Sequence, residues 1–497
     1  MIDPVREDEA DPPSHVATET VLDDNECYRL IYRESSQRYE VYVKQAPKAV
    51  PYKRHGYKWS PIGAEKHLLR EAFEDMVAFD AIAPGIPAKV VPARLMVAYG
   101  KRTRGVSDLR DYNEGCGSAP APKGGVRKIM NDLRIPGCSQ VAQMDISRAY
   151  YSILFFPDNP EVPVPAFEYD GRPYHYVRLP MGWVHSSRIL AQVVSHALPT
   201  WPVKSGAYRS VYADNLCYVC SDEMKVQMEE WMARDRQALQ DRGMWIKDSA
   251  VEWLTETNTL TILGYDLRRQ GSRTMMYVRM KPLPRAVRKR DLLVINGYAY
   301  DELFVTGIGG YKALLSSVAM AGVPADRKKE YMGHHLEPGV INLSEKIKQK
   351  IVTAQGKGVM WAPRLGEPLM IYTDASTSGW GFKVMQGADV LARGSGRWPK
   401  DQRLWGMPTK EAMAALRGLT SIPPSWTEML PVEWMTDSAT TLSALAKISR
   451  GGDVPAMNVT FRRRVAEIAE WLRLHAKASS VKVDTKLNKA DGLSRRG

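Results

Sequence analysis

Apolar and polar residues alternate with a period of two along much of the first half of the chain, which predicts β-strands. Tyr28–Lys44 alternates on both sides of Glu34–Gln37 and predicts a hairpin. Phe167–Tyr176 predicts a second hairpin that turns at Asp170-Gly171. Val141–Asp145 is a short apolar run that ends in a carboxylate. These segments predict strands of an antiparallel sheet.

Segments with a helical period lie between these strands. Glu65–Ala81 carries apolar residues three and four positions apart, and Ser186–Leu198 follows a Pro- and Gly-containing turn. A longer helix is predicted from Ser221 to Arg242, with Gly243 as its stop signal. Helices that alternate with paired strands predict an antiparallel sheet backed by helices. A largely helical region follows at 291–355.

A change of composition at Gly356–Pro368 opens a last domain with a mixed pattern of strands and helices. Its predicted strands are Leu369–Asp374, Gly379–Val384, Val390–Ser395, Val432–Thr436 and Val481–Asp484. Its predicted helices lie at 409–419, 438–449 and 457–477. The pattern predicts a mixed sheet covered by helices.

Length and charge add a domain count and an expected partner. At 497 residues the chain should form about three domains of roughly 150 residues each. A formal charge of +13 indicates an anionic partner, most simply nucleic acid. Residues 268–290 carry nine basic and no acidic side chains, which favours contact with a phosphate backbone over a solubilising surface run.

Several features bear on where the protein acts and how it is built. Residues 1–26 are acidic and proline-rich, which predicts a disordered segment unlike a signal sequence. The five cysteines form no disulfide framework, and Cys217-x-x-Cys220 lacks the second pair of a zinc site. No apolar run approaches the roughly 20 residues of a membrane span. We therefore expect an intracellular protein, cytoplasmic or nuclear, that is neither secreted nor membrane-bound.

Two aspartates stand at predicted strand ends in the first half. Asp214 and Asn215 fall at the tip of a hairpin between Ala207–Tyr212 and Leu216–Cys220, where an ordinary turn is the simpler interpretation. Asp145 ends a separate strand. Two carboxylates delivered by separate strands of one sheet suit two Mg²⁺ ions and phosphoryl transfer.

Four more carboxylates lie near element ends in the last domain: Asp374, Glu411, Asp437 and Asp491. Each alone is typical of a cap, a turn or a surface charge. Lys410 and Lys489 lie close enough in sequence to offset two of them, which strengthens that interpretation. As a set, they suit a second two-metal site, at which water would cleave a phosphodiester.

These motifs resemble a reverse transcriptase joined to a ribonuclease H domain. Asp145-x-x-x-Ala149-Tyr150 resembles the first palm motif, and Tyr212-Ala213-Asp214-Asn215 resembles the Tyr-x-Asp-Asp motif. The resemblance implies that Asp145 and Asp214 bind metal and that Tyr150 excludes a ribose 2′-hydroxyl. It implies an α+β right-hand polymerase with fingers, palm and thumb, followed by an α/β ribonuclease H-like domain.

Further residues take substrate roles by the same resemblance. The segment from Arg104 through Arg110 resembles the fingers strand, with Arg104 on the incoming triphosphate. Leu179–Trp183, which includes Met181, resembles the turn that packs against the nascent base pair. Lys247 resembles a lysine that protonates pyrophosphate, and Leu263-Gly264-Tyr265 resembles the primer-grip hairpin. The resemblance also implies that Tyr150, Tyr212 and Asn215 belong to the substrate-binding set.

In the last domain, Thr373-Asp374-Ala375-Ser376 resembles the opening strand of ribonuclease H. Glu411, Asp437 and Asp491 match its remaining acidic motifs, and all four acidic residues are implied metal ligands. The Trp380-Gly381 pair and the Ala-Asp-x-Leu-Ser-Arg ending are most similar to DIRS-like, tyrosine-recombinase retrotransposons. The implied domains are 27–94 beside the fingers, 95–270 fingers and palm, 271–365 thumb or connection, and 366–497 ribonuclease H-like.

The sequence departs from the family pattern in three places. Asn215 replaces an aspartate, which removes a full charge from the metal site, and Met181 replaces a glutamine of the retroviral enzymes. The family's mobile histidine has no counterpart in Val481–Asn488, and His475 is predicted to be a surface or core residue. We therefore expect weaker metal affinity and slower hydrolysis.

The resemblance implies an RNA-directed DNA polymerase that also degrades the RNA strand of RNA/DNA hybrids. Its partners would be an RNA template, a DNA primer, the hybrid and dNTPs, and its cofactor two Mg²⁺ ions per site, with Mn²⁺ as a substitute. The alternatives are a domesticated or decayed hybrid-binding protein and a polymerase with a silent nuclease. No integrase-like motif is visible, so integration functions are expected on separate chains.

Overall fold

The structure is a computed structural model that describes residues 19–45, 64–87, 89–98, 104–117, 125–201, 206–247, 250–299, 301–323, 331–452, 454 and 458–496. Residues 1–18 of the predicted disordered segment lie outside these ranges. No helix in these ranges is long and apolar enough to cross a membrane.

Four sheets form the first half of the chain, and many of their strand residues are buried on both faces. Their orders are β1-β2-β3-β9, β4-β11-β10-β5, β6-β7 and β12-β13-β8-β14. The strands are β1 (Glu19–Asp24), β2 (Tyr28–Arg33), β3 (Arg38–Val43), β4 (Ile82–Pro84), β5 (Val90–Pro92), β6 (Arg94–Ala98), β7 (Arg104–Asp108), β8 (Gln140–Asp145), β9 (Ile153–Pro157), β10 (Val164–Tyr169), β11 (Arg172–Tyr176), β12 (Ala207–Tyr212), β13 (Asn215–Cys220) and β14 (Val251–Trp253).

Five helices accompany these sheets: α1 (Ala64–Ala78), α2 (Arg110–Glu114), α3 (Val126–Leu133), α4 (Ser186–Ala197) and α5 (Lys225–Gln240). Helices α1, α2, α4 and α5 contribute to one large apolar core, whereas α3 packs into a second core that includes residues of the middle of the chain. Ile189, Leu190, Val193 and Val194 of α4 are fully buried, because spacings of three and four residues place them on one helix face.

The middle of the chain joins a small antiparallel sheet to a helical region. The strands β15 (Thr259–Ile262), β16 (Tyr265–Gln270), β17 (Arg273–Val278) and β18 (Val359–Met360) pair in that order. The helices α6 (Lys289–Tyr298), α7 (Gly309–Met320) and α8 (Pro338–Gln355) enclose a core of their own.

The last domain is a five-stranded mixed sheet of order β21-β20-β19-β22-β23. Its first two pairings are antiparallel and its last two parallel. Its elements are β19 (Leu369–Ala375), β20 (Gly379–Gln386), β21 (Asp389–Arg397), β22 (Val432–Thr436), β23 (Ala478–Lys482), α9 (Met407–Leu419), α10 (Pro424–Met429), α11 (Ala439–Ser449), α12 (Val459–Leu474) and α13 (Asp491–Ser494). Gly418 lets α9 approach the sheet closely, since a Cβ there would lie 2.7 Å from Thr373 Cγ2.

The predicted mixture of helices and antiparallel and mixed sheets is confirmed, whereas the division into fingers, palm and thumb stays a prediction. Some boundaries were wrong. Glu19–Asp24 forms a strand because it pairs with β2, so the prediction of a disordered segment is wrong for these residues. Arg110–Glu114 is helical rather than a continuation of β7. The last strand begins at Ala478, where it pairs with Val432, and not at Val481.

Candidate active sites

The first candidate site, called the first carboxylate site below, consists of Asp145 and Asp214. Tyr212 pairs with Asn215, so Ala213 and Asp214 form the two-residue turn between β12 and β13. Asn215 in turn faces Asp145, the last residue of β8. The Ile146 backbone N–H donates to the Asp214 carbonyl at 2.8 Å. The predicted pair of aspartates is thereby brought to one end of the β12-β13-β8-β14 sheet.

The turn that carries Asp214 has an unusual backbone. Ala213 has a φ of +53°, in the left-handed region that normally favours glycine. A positive φ at the first central residue of a two-residue hairpin turn, and not at the second, is typical of type II′. An alanine held in this conformation costs on the order of 1 kcal/mol, so the surrounding structure must stabilise the turn.

A buried polar network supplies that support. Asp235 of α5 is 1% exposed and accepts hydrogen bonds from Arg209 Nη1 at 2.5 Å and from the Tyr218 hydroxyl at 3.0 Å. Arg209 and Tyr218 are cross-strand partners on β12 and β13. One carboxylate therefore fixes both strands of the hairpin on the helix behind it. Burial raises the pKa of Asp235, while the bonds from Arg209 and Tyr218 oppose that rise.

Asn215 takes part in the first carboxylate site through its amide. Its Nδ2 donates to Asp214 Oδ1 at 3.0 Å. The hydrogen bond orients the Asp214 carboxylate but occupies one of its lone pairs, and Asn215 adds no negative charge.

A cavity of about 260 Å³ opens beside the two aspartates. Of the predicted substrate residues, Tyr150, Met181 and Lys247 line it together with Asp145 and Asp214. Lys247 Nζ also lies 5.3 Å from the centroid of the Trp245 ring. The structure therefore collects five of the predicted site residues, drawn from four separate stretches of chain, around one space.

The cavity wall also contains residues that the sequence reasoning did not select, namely Glu71 and Asp75 of α1 and Arg148. Arg148 has a φ of +53°, forms an ion pair with Asp75 and lies 3.9 Å from the centroid of the Phe79 ring. The one sequence feature that pointed to Arg148 was its position between Asp145 and Tyr150. The pairing with α1 is a tertiary contact that no local pattern encodes.

Arg110 and Tyr212, two further predicted substrate residues, are not among the residues that line the cavity. Arg110 is 85% exposed and pairs with Asp108, and Tyr212 is exposed. Arg104 begins β7, but its side chain lies outside the described residues. Asn113 has a positioning contact instead: its Nδ2 donates to the Gly182 carbonyl and its Oδ1 accepts from the Val184 N–H, each at 2.9 Å. It thereby fastens α2 to the turn that follows Met181.

The second carboxylate site consists of Asp374, Glu411 and Asp437. Asp374 stands on the central strand β19, Glu411 on α9, and Asp437 directly after β22, which is parallel to β19. One oxygen of each carboxylate lies within 4.8 Å of the other two. Three acidic residues distant in sequence thus converge at one position of the sheet, as expected for a cation site.

Burial dominates the electrostatics of the second carboxylate site. Asp374 is 6% exposed, and desolvation, with Asp437 and Asp491 nearby, raises its pKa to about 6. Desolvation and the charges of Asp374 and Asp437 raise the pKa of Glu411 to about 8. Among the described residues, Glu411 Oε2 is buried without a hydrogen-bond partner. Three acidic oxygens close together, one residue of the set having a buried oxygen with no donor, fit a hard divalent cation such as Mg²⁺.

Asp491 and the neighbouring lysines behave differently from the expectation. Asp491 pairs with Arg495 at 2.6 Å and is not within the three-residue cluster, although its charge reaches Asp374. Lys410 is buried and donates to the carbonyls of Thr377 and Arg403, and these contacts do not support the alternative in which it offsets a carboxylate. Lys489 lies over the Tyr372 ring at 5.2 Å.

Two further side chains complete the surroundings. Asn488, which was not selected as a site residue, donates from Nδ2 to Asp437 Oδ1 at 3.1 Å and to the Thr373 carbonyl at 2.9 Å. It therefore links two strands of the site. His475 stacks on Trp471 with a centroid distance of 4.1 Å at the end of α12.

Comparison with known proteins identifies the fold. No protein-family model matches the sequence, and no curated protein matches it. Among solved structures, the foamy viral protease-reverse transcriptase dRH in complex with double-stranded DNA is 13% identical, with a TM-score of 0.61 over 88% of this chain and 73% of that chain. The foamy viral protease-reverse transcriptase in complex with double-stranded DNA gives the same identity, TM-score and coverage of this chain, over 87% of its own.

The same viral protein in complex with an RNA/DNA hybrid is also 13% identical, with a TM-score of 0.56 over 85% of this chain and 54% of that chain. The likeness extends through most of the chain and shows that the chain shares the fold of these structures.

Proposed function

We propose that this protein is an RNA-directed DNA polymerase that also hydrolyses the RNA strand of RNA/DNA hybrids. The observation that carries the proposal is the presence of two separate carboxylate sites in one chain with this fold. The solved structures of similar fold hold double-stranded DNA or an RNA/DNA hybrid. The partners we propose are accordingly an RNA template, a DNA primer, their hybrid and dNTPs.

Asp145 and Asp214 would hold two Mg²⁺ ions at the first carboxylate site, with Mn²⁺ as a substitute. Asp374, Glu411 and Asp437 would hold the ions of the second site, with Asp491 at its edge. Bound there, the ions activate the attacking oxygen and neutralise charge on the phosphate that is transferred or cleaved. The unpartnered Glu411 oxygen supports this assignment, because it is a buried acceptor with no donor.

The residues of the first cavity would select and orient the nucleotide. Tyr150 would fill the space of a ribose 2′-hydroxyl and so favour dNTPs. Met181 would pack against the nascent base pair, and Lys247 would donate a proton to the departing pyrophosphate. We propose that Arg104 and Arg110 bind the triphosphate, with Tyr212 and Asn215 beside the primer end.

We propose a retrotransposon origin, with the DIRS-like branch as the most similar. Integration proteins would then be separate chains, and the enzyme would act inside the cell. The division into fingers and palm at 95–270, thumb or connection at 271–365 and ribonuclease H-like domain at 366–497 belongs to the same proposal.

One observation favours a second candidate, a hybrid-binding protein without polymerase chemistry. Asn215 removes a charge from the first carboxylate site and occupies a lone pair of Asp214. This candidate predicts tight hybrid binding with no primer extension. It also predicts that substitution of Asp145 leaves binding unchanged.

The deciding experiment is primer extension by the purified protein on a primed RNA template, with Mg²⁺ and Mn²⁺ titrated separately. We expect extension with dNTPs, little with rNTPs, and none by Asp145→Asn. If wild-type protein shows no extension with either metal while it binds the hybrid, the polymerase proposal is wrong and the binding protein is favoured.

A further inference from the structure

A large basic groove lies between the helical region and the last domain. It is formed by α7, α8, β20, β21 and the C-terminal segment 489–496, and its volume is about 990 Å³. Eight lysines and arginines line it, and no aspartate or glutamate is among its lining residues. A groove of this size with one sign of charge concentrates positive potential between its walls.

The three arginines of the groove are already engaged. Arg393 donates to the carbonyls of Val305, Lys357 and Gly358, and Arg496 donates to those of Thr306 and Gly307. Arg495 pairs with Asp491. Arg393 and Arg496 therefore join the helical region to the last domain and fix the two walls of the groove.

The five lysines are engaged differently. They are Lys346 and Lys350 on α8, Lys357 after it, Lys383 on β20, and Lys489. Within the described parts of the chain, none of them forms an ion pair with a carboxylate. Lys350 lies 5.6 Å from the Tyr311 ring centroid, which leaves its charge intact. Their positive charge is therefore not neutralised by the protein.

Two further facts give the groove a direction. Lys346 and Lys350 are four residues apart and so project from one face of α8. The opposite wall ends at Gly492 and Arg495, beside Asp491 at the edge of the second carboxylate site.

Burial and the surrounding cations lower the pKa of Lys383, as expected where like charges are held together. An extended polyanion would relieve this repulsion along the whole groove.

We propose that the basic groove binds the phosphodiester backbone of a nucleic-acid strand and holds it across the helical region and the last domain. The proposal rests on the proposed function, since a strand in the groove would lead to the second carboxylate site. The regular spacing of phosphates along a strand suits lysines distributed over both walls. The lysines would contact phosphates, and so they would position the strand without distinguishing one base sequence from another.

The test is the affinity for a fluorescent RNA/DNA hybrid, measured by anisotropy over a range of salt concentrations. The variant Lys346→Gln/Lys350→Gln/Lys357→Gln should bind about tenfold or more weakly at low salt. Its log–log salt slope should fall by about 2 to 3, because three phosphate contacts no longer release counterions. Hybrid cleavage at subsaturating hybrid should fall in parallel with the affinity, because these lysines would act through binding of the strand.

Matched variants guard against loss of structure. Lys447→Gln/Lys477→Gln/Lys482→Gln removes three exposed charges from the last domain outside the groove and should change affinity less than about twofold. Replacement of the three groove lysines by arginine should retain binding, because the charge is kept. An unchanged affinity and salt slope in the glutamine variant, or loss of binding in the arginine variant, would overturn the proposal.

A second probe distinguishes the source of the phosphates. If inorganic tripolyphosphate binds in a way that depends on the groove lysines while hybrid affinity does not, the groove is a small-polyphosphate site and the proposal is wrong. Absence of primer extension or hybrid cleavage by the wild-type protein would contradict the proposed function instead. The binding measurement would still decide the role of the groove.

Discussion

The two carboxylate sites hold similar chemistry in different ways. At the first, a strained turn and a strand end present Asp214 and Asp145 to an open cavity, and the neighbouring Asn215 supplies an amide in place of a charge. At the second, the buried Asp374 and the half-buried Glu411 and Asp437 converge where a helix meets one sheet. The first site is built by backbone geometry, and the second by concentration of charge in a desolvated place.

The two sites therefore destabilise the folded protein for different reasons. The first carboxylate site requires support for the turn, which the buried Asp235 network supplies. The second requires relief from electrostatic repulsion, which a bound cation would supply. Metal should therefore stabilise the last domain more strongly than it stabilises the β12-β13-β8-β14 sheet.

The largest expected effect separates the two sites. Asp145→Asn should reduce primer extension about a thousandfold or more and leave hybrid cleavage intact, whereas Asp437→Asn should do the reverse, because a lost metal ligand removes several kcal/mol of transition-state stabilisation. Both activities are measured on one preparation of each variant. Loss of both activities in either variant, with normal folding, would show that the sites are not independent.

The pH dependence of stability sharpens the comparison. The raised pKa values of Asp374 and Glu411, about 6 and about 8, mean that the folded protein binds more protons than the unfolded chain. The stability of metal-free protein should therefore be highest below about pH 4 for these groups and fall, on the order of a few kcal/mol, as the pH rises to about 8. Thermal unfolding in chelator from pH 5 to 8.5 measures this effect.

The matched variant for this prediction is Glu411→Gln, which keeps the shape and removes the titrating group. It should flatten the decline between pH 6 and 8 and stabilise the metal-free protein at pH 8. Mg²⁺ should restore the stability of wild type at pH 8 and have less effect on the variant. A decline that is unchanged in Glu411→Gln would mean that other groups cause it.

A smaller effect is expected at the first carboxylate site. Asn215→Asp adds a charge beside Asp214, so the Mg²⁺ concentration that gives half-maximal primer extension should fall roughly threefold to tenfold, in keeping with close charges near a surface. The metal midpoint for hybrid cleavage serves as an internal control and should not move. An unchanged midpoint for extension would show that Asn215 does not limit metal affinity.

The smallest expected effect tests the strained turn. Ala213→Gly relieves the left-handed φ and should stabilise the protein by up to about 1 kcal/mol, because glycine adopts this conformation without a steric penalty. Chemical denaturation measures the change, with Ala238→Gly in α5 as a control that should destabilise by about 1 kcal/mol. If Ala213→Gly instead destabilises, the turn is not strained.

Much of the fold followed from local patterns. Both predicted hairpins are present, since alternation and turn residues act within a few positions. The first turns at Asp170-Gly171 as predicted, but the second turns at Ala213-Asp214, one residue before the predicted tip, because Asn215 pairs with Tyr212. The end of the last sheet was placed less well, because Ala478 joins β23 by parallel pairing with Val432, which lies far away in sequence. The sequence pattern also missed the helix Arg110–Glu114. This helix buries Tyr112 in the core, and that tertiary contact is not encoded in the local pattern.

The sequence by itself determined where the candidate carboxylates lie along the chain and that Asp145, Asp374 and Asp437 fall at or near strand ends, because periodicity and turn chemistry are local. Glu411, by contrast, stands inside α9. Only the tertiary structure decided which of them meet. It brought Asp374, Glu411 and Asp437 within 4.8 Å, left Asp491 paired with Arg495, and placed Arg148 and Asp75 in the first cavity. Burial, cross-strand register and close contact between distant segments set charge and distance, and these quantities are properties of the folded chain.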